Sequence, residues 1–170
     1  MSVGIGFAYD GRAYIGADSA LTNQSMDVMV LSEPKVFDSG EFLGCYSGSM
    51  AVALIVIDAL NQAGSRDMLQ IASMVRARLK EAELYKDIFQ AILARKKTSE
   101  LYIMDNEICI ASPLDGYCAI GLGSQAALGA IHMAMEVMEQ VDPERIIRLA
   151  MEASAANNAS VKEPFGIISS

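Results

Sequence analysis

The sequence predicts one layered α+β domain spanning residues 1–170. Strand hairpins lie toward both ends, a helical stretch lies between them, and neither an internal repeat nor a linker divides the chain. Val3, Ile5, Phe7 and Tyr9 alternate with Ser2, Gly4, Gly6 and Ala8, the period of two that marks a strand. Asp10-Gly11 supplies a tight turn, and Arg12 to Asp18 returns as the second strand, ending in the small-residue run Gly16-Ala17-Asp18-Ser19-Ala20. This hairpin sets the chain start beside Asp18 and Ser19. Which face each side chain takes stays open, because a one-residue slip exchanges the faces.

A polar loop from Leu21 to Glu33 is expected next, followed by a second hairpin: Pro34 to Phe37, the turn Asp38-Ser39-Gly40, and Glu41 to Leu43. The apolar run Met50 to Ile57 fits a buried strand or a helix by periodicity; Gly64 as a stop and the length to it favour a helix. Ser65 is the expected cap of the following helix, whose Met68, Ile71, Ala72, Val75 and Leu79 share one face. Tyr85, Ile88, Phe89 and Ile92 repeat that spacing, with Arg95-Lys96-Lys97 where a helix C-terminus favours positive charge. Leu101 to Met104 and Glu107 to Ala111 flank Asp105-Asn106 as a third hairpin, and Pro113 to Gly116 turns into a strand from Tyr117 to Ile120. A long helix is expected from about Gln125 to Glu139. Asp142 with Pro143 opens another, carrying Ile146, Ile147, Ala150 and Met151 before Asn157-Asn158, and Phe165 to Ile168 closes as a strand.

Composition narrows the function. The chain carries 13 Lys and Arg against 21 Asp and Glu, a net charge of -8, with its cations scattered; no electrostatic footprint for nucleic acid is present. The longest apolar run, Met50 to Ile57, falls far short of the roughly 20 residues of a membrane span, and no secretory signal opens the chain. Cys45, Cys109 and Cys118 show no paired ligand spacing and His132 is the single histidine, which argues against a metal site, a required cofactor or His-based catalysis. A reducing cytoplasm is the expected setting.

The residues that carry chemistry lie at the chain start. A serine hydroxyl is a weak nucleophile and needs a base, which a free α-amine of pKa about 7.7–8.0 supplies from within the same residue. Removal of Met1 would make Ser2 that residue; the plainer alternative is a small residue tolerated after an initiator Met. A lysine nearby favours the neutral amine and lowers the nucleophile's pKa, and a carboxylate holds that lysine charged and oriented. Lys35 and Asp18 fit those roles, and each alone also fits an ordinary surface ion.

Val3-Gly4-Ile5, Ile15-Gly16-Ala17-Asp18-Ser19, Pro34-Lys35-Val36-Phe37, the Gly44 to Gly48 turn, Ala119 to Ser124 and Glu163-Pro164-Phe165 together resemble the proteasome β-type N-terminal nucleophile hydrolases. The likeness runs the length of the chain and is strongest toward the short bacterial and phage proteasome-like proteins. The resemblance implies a four-layer αββα sandwich, with two sheets packed face to face between helix layers. It implies Ser2 as nucleophile, Asp18 as carboxylate and Lys35 as lysine, with a backbone N–H at Cys45 as oxyanion donor. It further implies peptide substrates, a homo-oligomer of one ring or stacked rings, and service by an ATP-dependent unfoldase.

The sequence departs from the family pattern at named places. Ser2 stands where Thr is usual, Cys45 where Gly is usual, and Leu122 where a supporting Ser is usual, with Ser124 two residues on. Ser160 and Glu163 fall near a second supporting position. Two other functions share this frame: a catalytically silent assembly protein, and an amidohydrolase of small amides. Weaker signals point elsewhere. Gly121 to Ala126 loosely matches a dinucleotide fingerprint but lacks the second strand and its terminal acid. Cys45 as a nucleophile has no base near it in sequence.

Overall fold

The computed structural model describes residues 2–22 and 27–170. Strands β1 (Gly4–Tyr9) and β2 (Arg12–Ala17) form the first hairpin about Asp10-Gly11, with Gly4 opposite Ala17 and Tyr9 opposite Arg12. Two short strands follow, β3 (Ala20–Thr22) and β4 (Val28–Val30), which pair within the stretch expected to be a plain polar loop. Residues 23–26 of that loop lie outside the described residues. The second hairpin is β5 (Val36–Ser39) and β6 (Phe42–Gly48), with helices α1 (Met50–Asn61) and α2 (Met68–Glu81) after it. Then come β7 (Phe89–Arg95), β8 (Leu101–Met104), β9 (Ile110–Ala111), β10 (Tyr117–Ile120), α3 (Ser124–Val137), α4 (Pro143–Asn157) and β11 (Gly166–Ser169).

Two antiparallel sheets stack face to face. One runs β10-β1-β2-β11 and the other β5-β6-β7-β8-β9, with β3-β4 as a separate ribbon. Ala13, Ile15 and Ala17 of β2 meet Leu43 and Cys45 of β6 and Ile92 and Ala94 of β7 in the layer between the sheets. Val3, Ile5 and Phe7 point the other way, onto Ala127 and Ile131 of α3 and Ile146, Ile147, Ala150 and Met151 of α4. On the opposite outer face, Phe42, Phe89, Ala91 and Leu93 pack under Val52, Val56 and Leu60 of α1 and Ile71, Val75 and Leu79 of α2. This is the αββα sandwich. The register left open by sequence is settled by side-chain volume. The bulky alternate residues of β1 fill the helix layer, while Gly4 and Gly6 face the second sheet so closely that a Cβ would lie 2.7 Å from Cys45 Sγ or Ile92 Cγ2.

Two sequence readings are corrected. The helical spacing from Tyr85 to Ile92 does not give a helix: residues 89–95 form β7, paired on both edges with β6 and β8. A strand buried on both faces reads as a continuous apolar run, and Ala91-Ile92-Leu93-Ala94 is such a run. Ser65 does not cap α2. Asp67 does, accepting from Gln70 N–H at 2.8 Å while the Gln70 side chain accepts from Asp67 N–H at 3.2 Å, and this reciprocal box satisfies two end donors where Ser65 would satisfy one. Among the described residues, no helix is long and apolar enough to cross a membrane.

Candidate active site

Three chain segments deliver three polar side chains to one sealed point. Ser2 lies two residues before the start of β1, Asp18 follows β2 in the same sheet, and Lys35 precedes β5 of the other sheet. Ser2 and Asp18 are fully buried and Lys35 is 4 % exposed. Ser2 Oγ donates to Asp18 Oδ1 at 2.6 Å. Lys35 Nζ donates to Ser2 Oγ and to the Ala20 carbonyl, and lies 3.2 Å from Asp18 Oδ1. The convergence expected of Ser2, Asp18 and Lys35 is present.

A carboxylate this deep needs its charge satisfied, and Asp18 draws on the main chain to do so. Val3 N–H reaches Oδ1 at 3.3 Å, while Ala20 N–H and Lys162 N–H reach Oδ2 at 3.2 Å each. Burial pushes the Lys35 ammonium below its ordinary pKa; the adjacent Asp18 carboxylate opposes that shift. The arrangement holds a buried lysine of lowered pKa against a serine hydroxyl.

The Ser2 main chain is gripped from the β10–α3 connection. Gly123 N–H donates to Ser2 C=O at 3.1 Å. Gly121 has φ of +82°, and a Cβ there would collide with Ser2 O and stand 2.9 Å from Ser2 C, so only glycine fits.

A cleft of about 530 Å³ opens over Lys35, bordered by Ala20, Leu21 and Thr22 of β3, by Gly48, Ser49 and Met50, and by Lys86, Asp87 and Ile88. Leu31 N–H donates to Ser19 C=O, and Leu21 faces Met29 in the β3–β4 ladder, so alternation turns the main chain of Ala20 and Thr22 to the opposite edge. Ala20 spends its groups on Asp18 and Lys35. Thr22 borders the cleft, and its Oγ1 is buried without a hydrogen-bond partner.

Cys45 sits differently from the expectation. It lies mid-strand in β6 between Val36 of β5 and Ile92 of β7. Tyr46 N–H is given to Lys35 C=O at 3.2 Å on the β5 side, so alternation turns the Cys45 N–H toward β7 and into the ladder. The residue of β6 that borders the cleft is Gly48. The Cys45 thiol is fully buried in the inter-sheet layer, where burial pushes its pKa up, so it is an inert packing group. Ser124 opens α3 with its N–H on Gly121 C=O at 3.2 Å, and the Ser160 hydroxyl caps its own turn on Asn158 Oδ1 at 2.6 Å. The C-terminal segment reaches the site through Lys162 N–H instead, a backbone contribution that no side-chain pattern announces.

The chain has the fold of the proteasome-type N-terminal nucleophile hydrolases. It is similar to the ATP-dependent protease subunit HslV of Chlorobium luteolum, 27% identical over 155 residues, which is 89% of this chain and 84% of that protein. Among solved structures, HslV of Trypanosoma brucei superimposes with a TM-score of 0.82 at 19% identity, covering 98% of each chain. The BPH protein of Thiobacillus denitrificans, in complex with epoxomicin, gives 0.79 at 20% identity over 99% of this chain and 97% of its own. No protein-family model matches the chain.

Proposed function

We propose that the chain is a peptidase that uses Ser2, freed by removal of Met1, as its nucleophile. The observation that carries this reading is the buried trio of Ser2 Oγ, Lys35 Nζ and Asp18, with donors and acceptors within hydrogen-bond reach of one hydroxyl. In the mature chain the Ser2 hydroxyl proton passes to the α-amine as Oγ bonds to the substrate carbonyl carbon. The tetrahedral adduct then collapses, the C–N bond breaks, and the departing amine takes the proton. An ester on Ser2 remains, which water cleaves with the α-amine again as base. Lys35 keeps the amine neutral and stabilises the developing alkoxide, and Asp18 orients Lys35. The main chain of Gly48, on the cleft side of β6, is assigned as the oxyanion donor in place of Cys45. Ser124 and Ser160 are left with structural roles.

The free edge of β3 supports an extended peptide as substrate. Thr22 offers its main-chain N–H and C=O to the cleft opposite Gly48, which is the geometry of strand addition, and Leu21, Met50 and Ile88 supply apolar walls. A homo-oligomeric ring or stacked rings in the cytoplasm, served by an ATP-dependent unfoldase, completes the reading; similarity to a relative named as a subunit of an ATP-dependent protease supports it. The exposed apolar residues Leu54, Leu69, Met133 and Val137 on the outer helices are suitable for contacts between copies.

Hydrolysis of fluorogenic peptides by the parent protein, Ser2→Ala and Lys35→Ala tests the reading, with intact mass recorded for each. Met1 should be absent from the active protein, Ser2→Ala should be inactive, and Lys35→Ala should lose about 10²–10⁴-fold in kcat/KM. Equal activity in all three would overturn it.

A further inference from the structure

The layer between the two sheets is apolar except at one end. Along β6 and β7 the residues facing the first sheet pair as Leu43 with Ala94, Cys45 with Ile92 and Ser47 with Gln90. Ser47 and Gln90 thus place two polar side chains at the end of the layer where Ser2 sits. Gln90 Oε1 accepts the Gly121 N–H at 3.0 Å, across the gap from β7 to the end of β10. A Cβ on Gly121 would stand 3.0 Å from Ser47 Oγ, so both side chains close on this one glycine. Gly121 in turn lies against the Ser2 carbonyl, which Gly123 N–H holds two residues further on.

We infer that Gln90 is a positioning residue for the nucleophile, acting through Gly121. It fixes from the second sheet the loop that grips Ser2 from the first, so that the hydroxyl stays in register with Lys35, which the second sheet supplies. Without this cross-sheet bond the Gly121 N–H loses its acceptor, and the loop keeps its own turn and its Gly123 bonds to Ser2 and Ser154, none of which reaches the second sheet. The inference rests on the reading of Ser2 as nucleophile, because positioning matters to rate only if Ser2 reacts.

The test compares the parent protein with Gln90→Met, which keeps the length but removes the acceptor, and Gln90→Glu, which keeps an acceptor oxygen. Amide hydrogen exchange at Gly121 and Gly123 is measured alongside kcat and KM for a fluorogenic peptide. Gln90→Met should speed exchange at both glycines and lower kcat on the order of 10- to 100-fold with KM within about twofold, since small misplacements of a reacting group cost rates of this size. Gln90→Glu should restore slow exchange and most of kcat. Unchanged exchange, or fast exchange with kcat equal to the parent's, overturns the inference. Ser2→Ala run in parallel separates the two ideas: activity surviving in Ser2→Ala removes the nucleophile assignment, whereas the exchange data judge the Gln90 bond without reference to turnover.

Discussion

Lys35 Nζ and Asp18 Oδ1 stand 3.2 Å apart, and each is brought by a different sheet. The ion pair is therefore a cross-sheet tie as well as part of the site. Asp18 also accepts N–H groups from Val3, Ala20 and Lys162, so one carboxylate joins the chain start, the β2–β3 junction and the C-terminal segment.

Removing that carboxylate should cost stability as well as activity. Asp18→Ala leaves Lys35 without its counterion and the buried Val3 and Ala20 N–H groups and the part-buried Lys162 N–H without an acceptor, a loss of about 3–5 kcal/mol. At roughly 2–4 °C per kcal/mol for a chain of this size, calorimetry should find a melting point lowered on the order of 10 °C. Asp18→Asn, which keeps acceptor oxygen, should fall between the two.

Lys35 makes stability depend on pH in a stated direction. Its pKa is lowered in the folded chain by burial, so between that lowered value and about 10.4 the unfolded chain holds more protons. Folding stability contributed by this group therefore rises with pH across the window. Urea midpoints of the parent protein and Lys35→Met, measured over a pH series, should diverge with a slope difference of up to about 1.4 kcal/mol per pH unit. Parallel curves would contradict this.

Gly121→Ala should cripple the site without touching a side chain of the trio. Its φ of +82° disfavours any Cβ, and the added methyl collides with the Ser2 carbonyl. Displacing Ser2 by even about 1 Å is expected to cost roughly 100-fold in kcat. Kinetics on the soluble variant check this, and a Gly129→Ala control, at an exposed position in α3 with open space around it, should be silent.

The three thiols should differ sharply in reactivity. Cys109 is exposed, whereas Cys45 and Cys118 are buried, with burial pushing the Cys118 pKa up to about 12. Alkylation of the native protein followed by mass spectrometry should add one label, and the unfolded protein should take three. Rapid labelling of Cys45 in the native state would show that the sheets part far more readily than their packing indicates.

Much of this was legible in the residues. Alternation in Val3-Ile5-Phe7, the Asp10-Gly11 turn and the Asp142-Pro143 helix start report local backbone preferences, and the folded chain keeps them. Resemblance in the early Asp and Lys motifs supplied the trio. The failures share a cause. Tyr85, Ile88, Phe89 and Ile92 show helical spacing, yet Phe89 to Arg95 is a central strand apolar on both faces, a property of its neighbours and not of the segment. The Cys45 N–H was misread because donor direction follows from pairing with Val36 and Ile92, which one-dimensional spacing does not contain. Lys162 and Gly123 act through main-chain N–H groups, which every non-proline residue has.

The absence of side chains at Gly4 and Gly6 has a consequence for how such a site could change over time. With hydrogen atoms alone at these two positions, β1 lies against the sheet beneath it with no room for a Cβ. A methyl group at Gly4, two residues along the chain from Ser2, would act as a shim, driving against Cys45 Sγ and the Ile120 side chain. If Ser2 is the nucleophile proposed above, sequence drift at those two positions is an early sign, readable from genes alone, that a descendant of this chain has lost its use.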